Sequence, residues 1–148
     1  LYTDYGLFTC DNAIGVDVQK LFHMLTAPGR AGKLKKLLQS PFTMHRTIIE
    51  LIQRETRRAR AGLPARIVAK MNALSEVQVI DALYAASQAG VKVDLIVRGV
   101  CALRPGLPGI SDNIRVRSIV GRFLEHARVF YFLNGEDDEI YLSSADWM

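Results

Sequence analysis

Between Ala65 and Val97 two short apolar runs flank a helical segment, and this limits the folds open to the chain more than any other feature. Ala65 to Met71 and Val91 to Val97 read as near-continuous apolar strands. Between them Ser75 with Gln78 makes a capping box for a helix that ends at Gly90. Strand, helix and strand of this kind predict a parallel βαβ unit covered on both faces, and so an α/β fold. In parallel sheets, ligands collect beyond the carboxyl ends of the strands. Lys70 and Asn72 sit at the end of the first strand and Arg98 follows the second. Arg98 and Lys70 are therefore candidate ligand-facing residues.

The rest of the chain fits around this unit. Tyr2 to Thr9 reads as a strand. Asp11 or Asn12 can cap a helix to about Thr26, with Ile14, Val18, Leu21, Phe22 and Leu25 on its apolar face. Pro28-Gly29-Arg30-Ala31-Gly32 is a breaker and a plausible domain junction. A short strand is expected around Lys35 to Gln39, ended by Ser40-Pro41. Thr43 can cap a helix to about Ala61, whose stripe Met44, Ile48, Leu51, Ile52 and Glu55 fades into charge. Arg54, Arg57, Arg58 and Arg60 crowd its last turns, where cations suit the helix dipole, and read as a solvated helix end. Gly99 to Asn113 is a long Pro- and Gly-rich loop. Strands Ile114 to Ile119 and Arg128 to Leu133 follow, then a turn at Asn134-Gly135 and a last strand, Glu139 to Ser143.

The charge pattern narrows the ligand. The 148 residues carry a net charge of +4, and the sequence pI is about 9.3, which favours an anionic partner without naming it. Arg98, Arg104, Arg115, Arg117, Arg122 and Arg128 lie in one run against only Asp112 and Glu125, and His126 stands where the run meets an apolar strand. Guanidinium groups offer paired planar donors that match phosphate oxygens. A histidine among them is a candidate for phosphate chemistry; a solvated basic face with a packed histidine is the plainer alternative. His23 and His45 have no metal-ligand spacing and read as structural. Glu136-Asp137-Asp138-Glu139 reads as a solvated hairpin loop. Cys10 and Cys101 make no framework and read as buried free thiols. No apolar run approaches the ~20 residues of a membrane span. Both ends read as cuts through a longer polypeptide.

Several segments taken together carry a resemblance. They are Leu1-Tyr2-Thr3-Asp4-Tyr5, then Asp94 to Gly99 with Leu103-Arg104-Pro105-Gly106, then the string Ile114 to His126, and finally Ser143-Ser144-Ala145-Asp146-Trp147-Met148. The whole chain resembles bacterial polyphosphate kinase of the large, polymer-synthesising type, whose two C-terminal domains are phospholipase D-like. The resemblance implies a mixed sheet flanked by helices, with residues 1–34 ending the first such domain and 35–148 forming most of the second, incomplete one. It implies reversible transfer of the terminal phosphate of ATP to inorganic polyphosphate through a phosphohistidine upstream of Leu1. Tyr2, Arg98 and His126 match ATP-contacting positions, and His126 is the implied catalytic residue. Lys70, Arg117 and Arg122 are possible polyphosphate contacts. ATP and ADP are implied as nucleotide partners, Mg2+ with ligands outside this chain, and a homo-oligomeric enzyme. No nucleic-acid partner is implied, and the location is cytoplasmic, with membrane association left open. The chain alone is expected to be inactive. The phospholipase D pattern, HxK followed later by a small residue and Asn, is altered: His126-Ala127-Arg128 has Arg for Lys, and Asp146 replaces Asn. Two other classes stay open, a phospholipase D-like phosphodiesterase or nuclease and a basic polyanion-binding module. The altered motif weakens the first. A lone aromatic, Phe123, between Arg98 and Arg128 disfavours the second.

Overall fold

The computed structural model describes residues 1–26, 32–135 and 137–147. Most of the proposed junction at 28–32 and Glu136 of the acidic group therefore lie outside the described residues. The elements in chain order are β1 (Tyr2–Thr3), α1 (Asn12–Thr26), α2 (Met44–Arg60), β2 (Arg66–Met71), α3 (Val77–Gln88), β3 (Lys92–Val97), β4 (Ile114–Arg117), β5 (Leu124–Glu125), β6 (Arg128–Phe132) and β7 (Glu139–Ser143). The main sheet has the order β4-β3-β2-β6-β7. β2, β3 and β4 run parallel, while β6 and β7 are antiparallel to their neighbours, so the sheet is mixed.

The expected βαβ unit is β2-α3-β3. Alternate residues Ile67, Ala69, Met71, Val93, Leu95 and Val97 are buried in one core with Ile48 and Ile52 of α2 and Val79 and Leu83 of α3. Both helices thus cover the same face. On the other face Val68, Lys70, Asp94 and Ile96 are half-buried and Arg115, Arg117, Ile140 and Leu142 exposed, so among the described residues the cover is one-sided. The cap of α3 is Glu76, not Ser75: its carboxylate accepts from the Val79 amide at 2.7 Å and from His45 Nε2 at 3.1 Å. His45 thereby ties the start of α2 to the start of α3, a structural role. His23 is exposed on α1.

Three local expectations change for identifiable reasons. The strand placed at Lys35 to Gln39 is absent, because the Lys35, Lys36 and Leu37 amides all turn toward Asp17 Oδ2, at 2.6, 2.6 and 3.1 Å. Asp17 is the one buried residue of α1, while Val18, Phe22 and Leu25 of its apolar stripe are exposed. The strand at Tyr2 to Thr9 shrinks to Tyr2–Thr3, which pairs with the short β5. The α2 stripe does not fade into solvent. Glu55 is fully buried and accepts from the Arg66 and Asn134 amides, and Arg54 makes a two-pronged bond to Glu139 at 3.0 Å. Arg57 and Arg60 are exposed as expected. Cys10 is exposed and Cys101 half-buried, both free. Asn134 and Gly135 form the turn with φ of 45° and 77°. Among the described residues no helix is long and apolar enough to cross a membrane.

The Asp17 clamp has a pH signature. The Lys36 amide, with those of Leu37 and Lys35, holds its carboxyl at about 2, against an ordinary value of 3.8. A carboxyl depressed by folding stabilises the fold above its unfolded value and loses that contribution as pH falls toward its folded value. Melting temperature should therefore fall between pH 4 and pH 2, and less steeply in Asp17→Asn. Parallel curves for the two proteins would show that the clamp contributes nothing.

Candidate active site

The carboxyl ends of β2, β3 and β4 share one edge of the sheet, and the antiparallel strands bring their own polar residues there. Lys70 lies opposite Val129, so Arg128 at the start of β6 stands beside the end of β2. Ser143, the last residue of β7, lies opposite Arg128. Beyond it the Ser143 hydroxyl accepts from the Ala145 amide at 3.0 Å and turns the chain back toward β2. Trp147, 1% exposed, then packs on Phe130 and Phe132 with ring centroids 5.0 and 6.4 Å away and anchors Asp146 at the edge.

β1 pairs in parallel with β5, Tyr2 with Leu124 and Thr3 with Glu125. The His126 amide continues this ladder to the Thr3 carbonyl at 3.0 Å. Tyr2 and His126 therefore meet edge to face, 5.5 Å between centroids. Two residues past Tyr2, Asp4 Oδ2 lies 2.7 Å from His126 Nδ1. That bond to the imidazole, with the Tyr5 amide, holds the Asp4 carboxyl below its ordinary value. On the other side Arg128 Nη1 lies 3.3 Å from His126 Nε2. A carboxylate only accepts and a guanidinium only donates. The neutral imidazole with its proton on Nδ1 satisfies both neighbours and leaves the Nε2 lone pair toward Arg128.

Arg98 is held from one side. Its Nε and Nη2 both donate to Asn72 Oδ1, the former at 3.1 Å. Its Nη1 is buried without a partner. A buried unpaired donor is costly, and an anionic oxygen at this edge would satisfy it. Gly99 lets the two strand ends close: its amide donates to the Asn72 carbonyl at 2.7 Å, and a Cβ there would stand 3.1 Å from that oxygen. Lys70 pairs with Glu125 at 3.0 Å, one residue before His126. Arg117 and Arg122 are exposed, the latter 5.9 Å from the Phe123 ring. Neither forms a hydrogen bond or ion pair with Tyr2, Arg98 or His126 among the described residues.

The two departures from the phospholipase D pattern touch each other: Arg128 Nε donates to Asp146 Oδ1 at 2.7 Å. The same carboxylate accepts from the Asn72 and Ala73 amides at 2.8 and 3.1 Å. Asp4 is a candidate site residue that sequence patterns did not single out, while Asn72 was placed only by its strand end and Asp146 only as a departure from the phospholipase D pattern. The site carboxylates Asp4 and Asp146 are taken up by His126, Arg128 and backbone amides, which does not suit a Mg2+ cradle. No group of three His, Cys, Asp or Glu side chains fit for a metal stands together among the described residues.

An edge that gathers two guanidinium groups and an imidazole offers donors for an anionic group such as a phosphate. Comparison with known proteins identifies the family. Residues 37–148 match the family model described as polyphosphate kinase C-terminal domain 2. Over all 148 residues the chain is 60% identical to a polyphosphate kinase of Pseudomonas putida. It is 62% identical to one of Neisseria meningitidis and 65% identical to one of Burkholderia vietnamiensis. It spans 20 to 22% of the length of these relatives. The crystal structure of polyphosphate kinase from Porphyromonas gingivalis superposes with a TM-score of 0.87 at 41% identity, covering 95% of this chain and 23% of that one. By its sequence, its mixed sheet and this family match, the chain belongs to the polyphosphate kinase family, within which residues 37–148 correspond to C-terminal domain 2.

Proposed function

We propose that the chain forms one side of an ATP:polyphosphate phosphotransferase site, in which the terminal phosphate of ATP passes reversibly to inorganic polyphosphate. The observation that carries this is the contact of Tyr2 with His126 and the bonded chain from His126 through Arg128, Asp146 and Asn72 to Arg98. Tyr2, 72% exposed, stacks on or hydrogen-bonds the nucleotide. Arg128 faces the phosphates, Arg98 joins it once its buried Nη1 is uncovered, and His126, when Nε2 is protonated, contacts the transferred group or supplies a proton. The phosphoryl group is carried by a histidine upstream of Leu1. Lys70, Arg117 and Arg122 form the rim along which polyphosphate runs, Lys70 by exchanging Glu125 for phosphate. In this proposal residues 1–34 end one phospholipase D-like domain and 35–148 form most of the next. The working enzyme is a cytoplasmic homo-oligomer, with its Mg2+ ligands outside this chain.

Positioning supplies much of phosphoryl-transfer catalysis, so half of a site should do little by itself. The purified 148-residue chain, given ATP and polyphosphate, is expected to release no ADP above background, whereas a full-length kinase does. Turnover by the chain alone at the full-length rate would overturn the half-site assignment. Hydrolysis of a simple phosphodiester by the full-length protein would instead favour a phosphodiesterase.

A further inference from the structure

We propose that Asp146 is the positioning residue of this site, a single carboxylate that sets both Arg98 and His126. The proposal rests on the phosphotransferase reading. Asp146 touches neither of the residues it sets. It works through two hydrogen-bonded branches that meet at its own oxygens.

The first branch runs through the backbone. The Asn72 and Ala73 amides donate to Asp146 at 2.8 and 3.1 Å. These bonds fix the peptide just beyond β2, and so the direction of the Asn72 side chain. Asn72 Oδ1 takes both Nε and Nη2 of Arg98, which turns Nη1 away from it. The second branch runs through a side chain. Arg128 Nε donates to Asp146 at 2.7 Å, which leaves Nη1 to span His126 Nε2 at 3.3 Å and the His126 carbonyl at 3.1 Å. Arg128 thereby caps the lone pair of His126 until an oxygen of higher charge competes for the same donor.

Charge and burial make the arrangement depend on a carboxylate. The Arg128 and Asp146 side chains are only 11% and 12% exposed. Two guanidinium groups beside an imidazole repel one another at low dielectric, and an anion between them offsets this while leaving donors free for phosphate. The anchor Trp147, 1% exposed, limits any relaxation of its neighbour. An amide at position 146 would lose the charge and present an N–H to one of its three donors.

The test is a double-mutant cycle in a full-length polyphosphate kinase carrying this segment, with kcat and KM for ATP measured at constant polyphosphate. Asp146→Asn is expected to lower kcat/KM by about ten- to a hundredfold in the protein that remains folded, and to lower the melting temperature as well, because one partner of a nearly buried ion pair loses its charge. Adding Arg128→Lys to Asp146→Asn should cost less than about threefold more, because residues in one network are not additive. Losses that multiply would overturn the proposal. So would a lowered melting temperature with unchanged kcat and KM, the mark of a purely structural residue. If Asp146→Asn fails to fold, the cycle of Arg128→Lys with Asn72→Ala tests the same claim, since among the described residues the two share no direct hydrogen bond and both bond to Asp146. Coupled losses support it and independent losses overturn it. An unaltered enzyme that makes no polymer from ATP would sink the phosphotransferase reading itself, whereas an active one with multiplying losses would sink only the role of Asp146.

Discussion

Replacing His126 by alanine in a full-length kinase that carries this segment should abolish net polyphosphate synthesis, a loss of about 10²–10⁴-fold if the residue serves as general acid or base. The expectation comes from how the imidazole is held. Asp4 fixes Nδ1 at 2.7 Å, Arg128 lies 3.3 Å from Nε2, and Tyr2 packs edge to face against the ring. A ring oriented on both nitrogens is prepared for one proton transfer or one phosphate contact. The melting temperature should change little, because His126 is a half-buried edge residue outside the hydrophobic core. Full activity in the variant would make His126 a packed histidine with no chemical part.

Arg98→Ala should raise KM for ATP and lower kcat/KM by roughly ten- to a hundredfold, the equivalent of about 1.5–3 kcal/mol for a charged hydrogen-bonding partner. Its place at the carboxyl end of β3, held there by Asn72, motivates this more than the charge does. Arg57→Ala is the control. Arg57 is equally cationic but exposed on the far end of α2, so its loss should leave kcat/KM within about twofold, since surface substitutions away from specific contacts have small effects. Equal losses at the two positions would make Arg98 one charge among many.

What could be foreseen from the sequence follows the range of the forces involved. The β2-α3-β3 unit was legible because a buried parallel strand needs an apolar run and a helix needs its period, both local demands. Arg98, Lys70 and Asn72 were placed because chain direction puts the ends of β2 and β3 on one edge. Other features depend on distant partners. Tyr2 to Thr9 has strand character, yet only two residues find a partner, because β5 is itself only Leu124–Glu125. Lys35 to Leu37 has strand-like side chains, but a carboxylate eighteen to twenty positions earlier captures its amides. Asp4 meets His126 across 122 positions, and Asp146 meets Asn72 across 74. No periodicity encodes such pairs. The resemblance supplied Tyr2, Arg98 and His126 and marked Asp146 as a departure from the motif, but not the bonds by which Asp4 and Asp146 hold the site.

The most direct test of the site assignment is to identify the phosphorylated residue after brief exposure of the full-length enzyme to ATP labelled in its terminal phosphate. The expected result is an acid-labile phosphohistidine upstream of Leu1, with none on His126, and with upstream label still formed in His126→Ala. Label on His126 itself would contradict the assignment and make His126 the phosphoryl carrier.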